Sequence, residues 1–151
     1  MKIFITHSEK DIELARKLKE SLKDDCEIYI AADDIQPGRS LPDKIVTNIK
    51  SSNYLIGLIT RDAVSSQWVQ QEIGIAKANN IPIIPLVEPG VKIKGVLEGI
   101  EYITLDRNNP YKTLNNLREY IHRKKKQKQT DEIIIIALAL ISLIILASYK
   151  E

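Results

Sequence analysis

The sequence predicts an α/β fold of the flavodoxin-like type, a five-stranded parallel sheet in the order 2-1-3-4-5 with helices on both faces. Three observations lead to it. Short runs rich in β-forming residues alternate with segments whose apolar residues recur at helical spacing. The run at 54–60 (YLIGLIT) is almost continuously apolar, as a central strand covered on both faces has to be. Strands and helices of this length, taken in strict alternation, favour parallel crossovers, and 2-1-3-4-5 is the common order for five strands.

Each element follows in turn. Residues 2–6 (KIFIT) form a first strand, and 11–23 place Ile12, Ala15, Leu18 and Leu22 on one helical face. Residues 27–31 (EIYIA) form a second strand, followed by the turn-rich stretch Asp33, Asp34, Ile35, Gln36, Pro37, Gly38. A helix starts near Leu41, with Pro42 suited to its first turn. After the third strand, Ser66 can cap a helix whose inward face is Val69, Ile73 and Ala76. Residues 81–87, containing Pro82 and Pro85, give a fourth strand, and 101–105 a weaker fifth at the edge. Pro110 opens a last helix through Leu114, Leu117 and Ile121.

Of the 151 residues, 44% are apolar and 28% charged, with a net charge of +2. A balance so close to zero excludes a generally basic nucleic-acid binder and an acidic disordered chain. The charge is unevenly placed: residues 1–122 carry 16 Lys and Arg against 17 Asp and Glu, and residues 123–151 carry 6 against 3. The basic excess is the run Arg123, Lys124, Lys125, Lys126 and Lys128, and it precedes the uncharged stretch 133–149 (IIIIALALISLIILASY). Roughly 17 to 25 apolar residues are needed to span a ~30 Å hydrocarbon core as a helix. The expected organisation is thus a domain at 1–122, a basic juxtamembrane linker at 123–132, a transmembrane helix at 133–149 and a short tail at 150–151. The flanking cations orient the domain to the cytoplasm at a single-pass cell-membrane anchor, and bind anionic headgroups better than nucleic acid. The rival reading packs the apolar helix on the domain or on a sister chain. Met1 leads straight into a strand, with no signal-peptide pattern, and the lone Cys26 fits a reducing compartment.

In this fold ligands bind beyond the C-terminal strand ends, at the switch between strands 1 and 3. The loops to inspect are 6–10, 32–40 and 61–72. A phosphate-wrapping loop after strand 1 needs small residues, but His7, Ser8, Glu9, Lys10 and Asp11 include two acids and no glycine. A phospho-acceptor domain needs an aspartate at the end of strand 3, where this chain has Thr60 and Arg61. No Walker, GxGxxG, zinc-spacing or Gly-x-Ser-x-Gly pattern occurs, and no metal site is expected.

Three segments resemble the TIR domain family. Phe4-Ile5-Thr6-His7-Ser8 with Asp11 is similar to its first box, and 33–41 (DDIQPGRSL) to its second, the BB loop with its Pro-Gly pair. Residues 65–72 (SSQWVQQE) match the Ser-x-Trp-x-x-x-Glu segment that opens the third helix. The order and the placement on the expected elements are those of the family over about 1–122. A Phe-Trp third box is missing.

The resemblance, in particular to prokaryotic NAD-cleaving members, implies a membrane-anchored NAD+ glycohydrolase or cyclase in antiviral signalling, with NAD+ as substrate and no cofactor. It assigns the catalytic carboxylate to Glu72. Chemistry agrees: cleaving the nicotinamide–ribose bond develops oxocarbenium character that a carboxylate stabilises, and a cationic leaving group needs no general acid. Trp68 lies one turn before Glu72, so both border the same cleft. Substrate contacts are expected from His7, Ser8, Arg39, Ser40 and Trp68, and assembly with further copies from Asp34, Pro37 and Gly38 of the BB loop. A separate activator or product-sensing effector is a further implied partner.

Plainer roles stand beside these. Glu72 can be a solvated surface charge, Trp68 can pack on the preceding loop, His7 can be a satisfied strand-end imidazole, and Ser8 can cap the first helix. Asp33 and Asp34 suit turns. The rival functions are a non-enzymatic adaptor that gathers TIR domains at the membrane, and a receptor whose membrane segment senses.

Overall fold

The computed structural model describes the backbone of residues 1–148 and the side chains of residues 1–142. Five parallel strands form one sheet in the order β2-β1-β3-β4-β5: β1 (Lys2–Thr6), β2 (Glu27–Tyr29), β3 (Tyr54–Ile59), β4 (Ile83–Val87) and β5 (Ile103–Thr104). Between them run α1 (Ile12–Leu22), α2 (Leu41–Lys50) and α3 (Gln67–Ala78), and α4 (Pro110–Ser148) follows β5. The predicted class and strand order are those observed.

Burial explains the pattern. Ile3, Phe4 and Ile5 of β1 and Leu55, Ile56 and Leu58 of β3 are all but inaccessible, as central strands covered on both faces require. One cluster joins Phe4, Leu55 and Ile59 of the sheet to Ile45 and Ile49 of α2 and to Val69, Ile73 and Ala76 of α3. The α3 face is the one its helical spacing indicates. The interior strand β4 and the edge strand β5 are shorter than expected: β4 starts at Ile83, after Pro82, whose nitrogen has no hydrogen to give the ladder, and β5 keeps two residues.

Helix starts follow local chemistry. The hydroxyls of Ser40 and Ser66 accept from the amides of Asp43 and Val69, each at 3.4 Å, and so cap α2 and α3. Ser8 departs from its expected capping role. Its hydroxyl donates to the Asp11 carboxylate instead, because a buried acid is a stronger acceptor for that proton than an amide is a donor to it.

The chain divides into two compact units, Met1–Leu117 and a second that begins at Arg118. The second is the continuation of α4, where Lys124 lies over the Tyr120 ring. Among the described residues no helix is long and apolar enough to cross a membrane. The described side chains of the expected span, at 133–142, cover about 15 Å as a helix, half of a hydrocarbon core. The transmembrane helix expected at 133–149 is therefore not met within them, and its end and the tail at 150–151 lie outside the described residues.

Candidate functional site

All five strands point the same way, so the loops after β1 and β2 and the start of α3 converge at one edge of the sheet. They enclose a cleft of about 610 Å³, within the range of small-molecule sites. Its wall takes Ile5 and His7 from the end of β1, residues 34–39 from the loop after β2, Lys44 and Ile45 from α2, and Trp68 and Glu72 from α3. Of the residues singled out from the sequence, Glu72, Trp68, His7, Arg39, Asp34, Pro37 and Gly38 meet here, whereas Ser8 and Ser40 are not part of the wall.

Glu72 sits deeper than its helical position suggests. Only 7% exposed, it shares the inner side of α3 with Val69, Ile73 and Ala76. Burial pushes its carboxyl up to about 7, and only the neighbouring Thr6 hydroxyl draws it back. That hydroxyl is fully buried and makes no hydrogen bond of ordinary geometry. No ion pair reaches Glu72 among the described residues. Trp68, one turn earlier, is 48% exposed and borders the same space.

The loop after β2 is pinned by Asp34. Its carboxylate accepts from Tyr29 Oη (2.9 Å) and Gln36 Nε2 (2.8 Å) and pairs with Lys44 Nζ (3.0 Å), which also donates to the Asp34 carbonyl. Hydrogen bonds from Lys44, then Tyr29 and Gln36, hold that carboxyl below its ordinary range. Tyr29 is pushed up to about 12 by burial first, then by its bond to Asp34 and the charges of Asp34 and Glu72. Gly38 has φ +83°, a left-handed conformation that costs a side chain strain, so the Pro-Gly turn needs its glycine. Ile35, before that turn, is 82% exposed, and the Arg39 guanidinium stands at the cleft with no ion pair among the described residues. Asp33 is not a simple turn former, since it pairs with Arg16 and Lys19 of α1.

His7 Nδ1 lies 2.7 Å from the Ser8 carbonyl, and a carbonyl only accepts, so Nδ1 carries the proton. Tyr29, Lys44 and Arg107 are contributors that sequence reasoning missed, and that reasoning places Thr6 in a loop and a motif without a role of its own. A polar residue closing an apolar strand marks Thr6, whereas nothing local marks Arg107, which acts across 96 positions of sequence. Among the described residues, no group of three or more His, Cys, Asp or Glu side chains is arranged to hold a metal.

The family model described as TIR domain matches residues 3–121. No curated protein matches the chain. Among solved structures, the TIR domain of the Toll-related receptor TRR-2 from Hydra magnipapillata is similar at TM-score 0.67 and 20% identity, over 80% of this chain and 97% of that one. A 2-deoxyribosyltransferase from Bacillus psychrosaccharolyticus is similar at TM-score 0.59 and 14% identity, over 78% and 90%. The CMP N-glycosidase BcmB from Clostridium botulinum is similar at TM-score 0.57 and 19% identity, over 78% and 98%.

Proposed function

Because the chain belongs to the TIR domain family, whose members include NAD-cleaving enzymes and assembling adaptors, we propose that it cleaves the nicotinamide–ribose bond of NAD+, with Glu72 as the catalytic carboxylate. The observation that carries this reading is a buried acid with no ion-pair partner among the described residues, at the wall of a cleft large enough for a nucleotide. Such an acid is costly unless a ligand supplies the missing positive charge. The nicotinamide ring brings one, and the ribosyl group develops another as the C–N bond breaks and its electron pair leaves with nicotinamide. Water or a substrate hydroxyl then attacks the anomeric carbon, giving ADP-ribose or a cyclic isomer. Trp68 offers a half-exposed aromatic face for the leaving ring, and Arg39 a cation at the cleft wall for a phosphate. Ser8 and Ser40 act through neighbours, the one on Asp11 and the other as a helix cap. An N-glycosidase and a 2-deoxyribosyltransferase share the fold, which is an argument about the scaffold alone.

The basic run 123–128 and the apolar stretch beyond it tether the domain to the cytoplasmic face of the cell membrane. Residues such as Ile133, Ile135 and Leu138 are at least 60% exposed, which suits a helix entering lipid. Tethering raises the effective concentration of one copy for the next, and a separate activator or product-sensing partner completes the pathway.

Nicotinamide release from NAD+ by the full chain at high density on liposomes tests the enzyme. Release by the wild type and none by Glu72→Ala is expected, and no release by the wild type overturns it. A second reading, an adaptor that assembles with other TIR domains, is favoured by Ile35, whose 82% exposure at the loop tip asks for a protein partner. That reading takes over if crowded protein assembles without releasing nicotinamide.

A further inference from the structure

Asp11 is a buried acid with three side-chain partners, although it lies outside the cleft wall. Only 2% exposed, it accepts at Oδ2 from Ser8 Oγ (2.5 Å) and Thr60 Oγ1 (2.6 Å), and at Oδ1 from Arg107 Nη2 (2.8 Å). Ser8 in turn has its carbonyl engaged twice, by the Asp11 amide at 3.0 Å and by His7 Nδ1 at 2.7 Å. The His7 ring at the cleft is thus fixed to a backbone oxygen whose own residue is fixed to Asp11.

Arg107 is built to hold this arrangement from outside. Its Nε donates to Glu88 Oε1 (2.8 Å) while Nη2 reaches Asp11, so the guanidinium forks across two carboxylates from opposite sides of β3. Glu88 is itself tied to the Arg61 amide at 3.1 Å. The Arg107 backbone is held on either side: Asp106 Oδ1 accepts from the amides of Asn108 and Asn109, and the Asp106 amide donates to Thr113 Oγ1, which donates to the Thr104 carbonyl. A side chain 46% exposed is therefore anchored in a fixed loop and aimed at a buried acid.

We propose that Arg107 is a positioning residue for the cleft, which acts through the buried carboxylate of Asp11 to fix the loop after β1 and the orientation and tautomer of the His7 ring. Without the guanidinium, Asp11 is left with two hydroxyl donors that are free to turn elsewhere, and Ser8 loses its fixed acceptor. His7 then adopts the Nε2–H form that a free imidazole prefers. The kinetic half of the test rests on the NAD-cleavage reading, and the spectroscopic half does not.

The chain has two histidines, so nitrogen NMR of the full-length protein labelled at histidine resolves His7 directly. Spectra are recorded at pH about 8.5, and the nitrogen shifts themselves report which ring nitrogen carries hydrogen. The wild type is expected to show His7 protonated at Nδ1. In folded Arg107→Ala the signal moves to the Nε2–H pattern, and Arg107→Lys, a point charge that cannot fork, gives an intermediate mixture. Where stranding the buried charge prevents folding, Arg107→Ala combined with Asp11→Asn removes that charge and serves the same comparison. Nicotinamide release is expected to fall about 10- to 100-fold in kcat, with KM changed less than about threefold, because the ring is misplaced and not removed. A wild-type His7 tautomer in either folded alanine variant overturns the proposal. If the wild type releases no nicotinamide, the activity reading falls and the tautomer alone decides.

Discussion

Trp68 and Glu72 stand one helical turn apart on α3 and face the same cleft, yet Trp68 is 48% exposed and Glu72 only 7%. The helix thus offers a ring at the mouth and an acid in the interior. That depth difference is what a substrate with a flat cationic ring attached to a sugar would fill.

The ionised form of Glu72 is the one that stabilises a ribosyl cation, so nicotinamide release should rise with pH. In kcat/KM, which reports the free enzyme, the midpoint is expected at about 7. In kcat it should lie lower, because bound cationic substrate favours the carboxylate. Steady-state assays from pH 5 to 9 check both, and identical midpoints would argue against a charge contact in the complex.

The same burial makes Glu72 a stability liability with a defined sign. Its carboxyl titrates near 4.5 in the unfolded chain and at about 7 in the fold, so within that window the folded protein keeps a proton that the unfolded chain has released. Stability therefore falls as pH rises from about 4.5 to 7 and stays lower above, by up to about 3 kcal/mol. Glu72→Gln should melt higher than the wild type at pH 8 and nearly level with it at pH 5, as read by thermal denaturation.

Asp11 behaves oppositely. Burial alone would raise its carboxyl, but hydrogen bonds from Ser8, Thr60 and Arg107, with the Arg107 charge, outweigh burial and hold it below 3.8. Its contribution is complete above that value and is lost as pH falls below it. Asp11→Ala should destabilise the domain by about 3 kcal/mol at pH 7 in urea denaturation, with the difference shrinking in acid.

Trp68 is the sole tryptophan, which turns the cleft into its own optical probe. NAD+ should quench its fluorescence, in Glu72→Gln as in the wild type. Trp68→Ala should raise KM several-fold and shift stability by less than about 1 kcal/mol, since the ring is half in water already.

Vesicles containing phosphatidylserine should sediment the full chain, and neutral vesicles should do so less. Replacing Lys124, Lys125 and Lys126 by glutamine should weaken that preference by about 1 kcal/mol per charge at low salt. A preference that ignores salt would mean the cations are not what the lipid reads.

The sheet was readable because its signal is local: 54–60 is apolar throughout, and the α3 face Val69, Ile73, Ala76 repeats at helical spacing. The Trp68–Glu72 pair is legible for the same reason, being one turn of one helix. The depth of Glu72 was not, since it depends on what β1 places against α3. The link from Arg107 to Asp11 was hidden likewise, because it joins loops that only the folded sheet brings together, and the link from Lys44 to Asp34 because it depends on how the loop after β2 folds back on α2. Ser8 shows the limit of local rules: a serine before a helix is a good cap until a buried carboxylate three residues on offers a better bond.

The same acid also ties heat resistance to ligand chemistry. Among the described residues no cation offsets Glu72, so the glutamine that strengthens the fold above pH about 7 also takes away the charge that the cleft presents to a bound molecule. Any redesign for robustness at that position trades one property directly against the other.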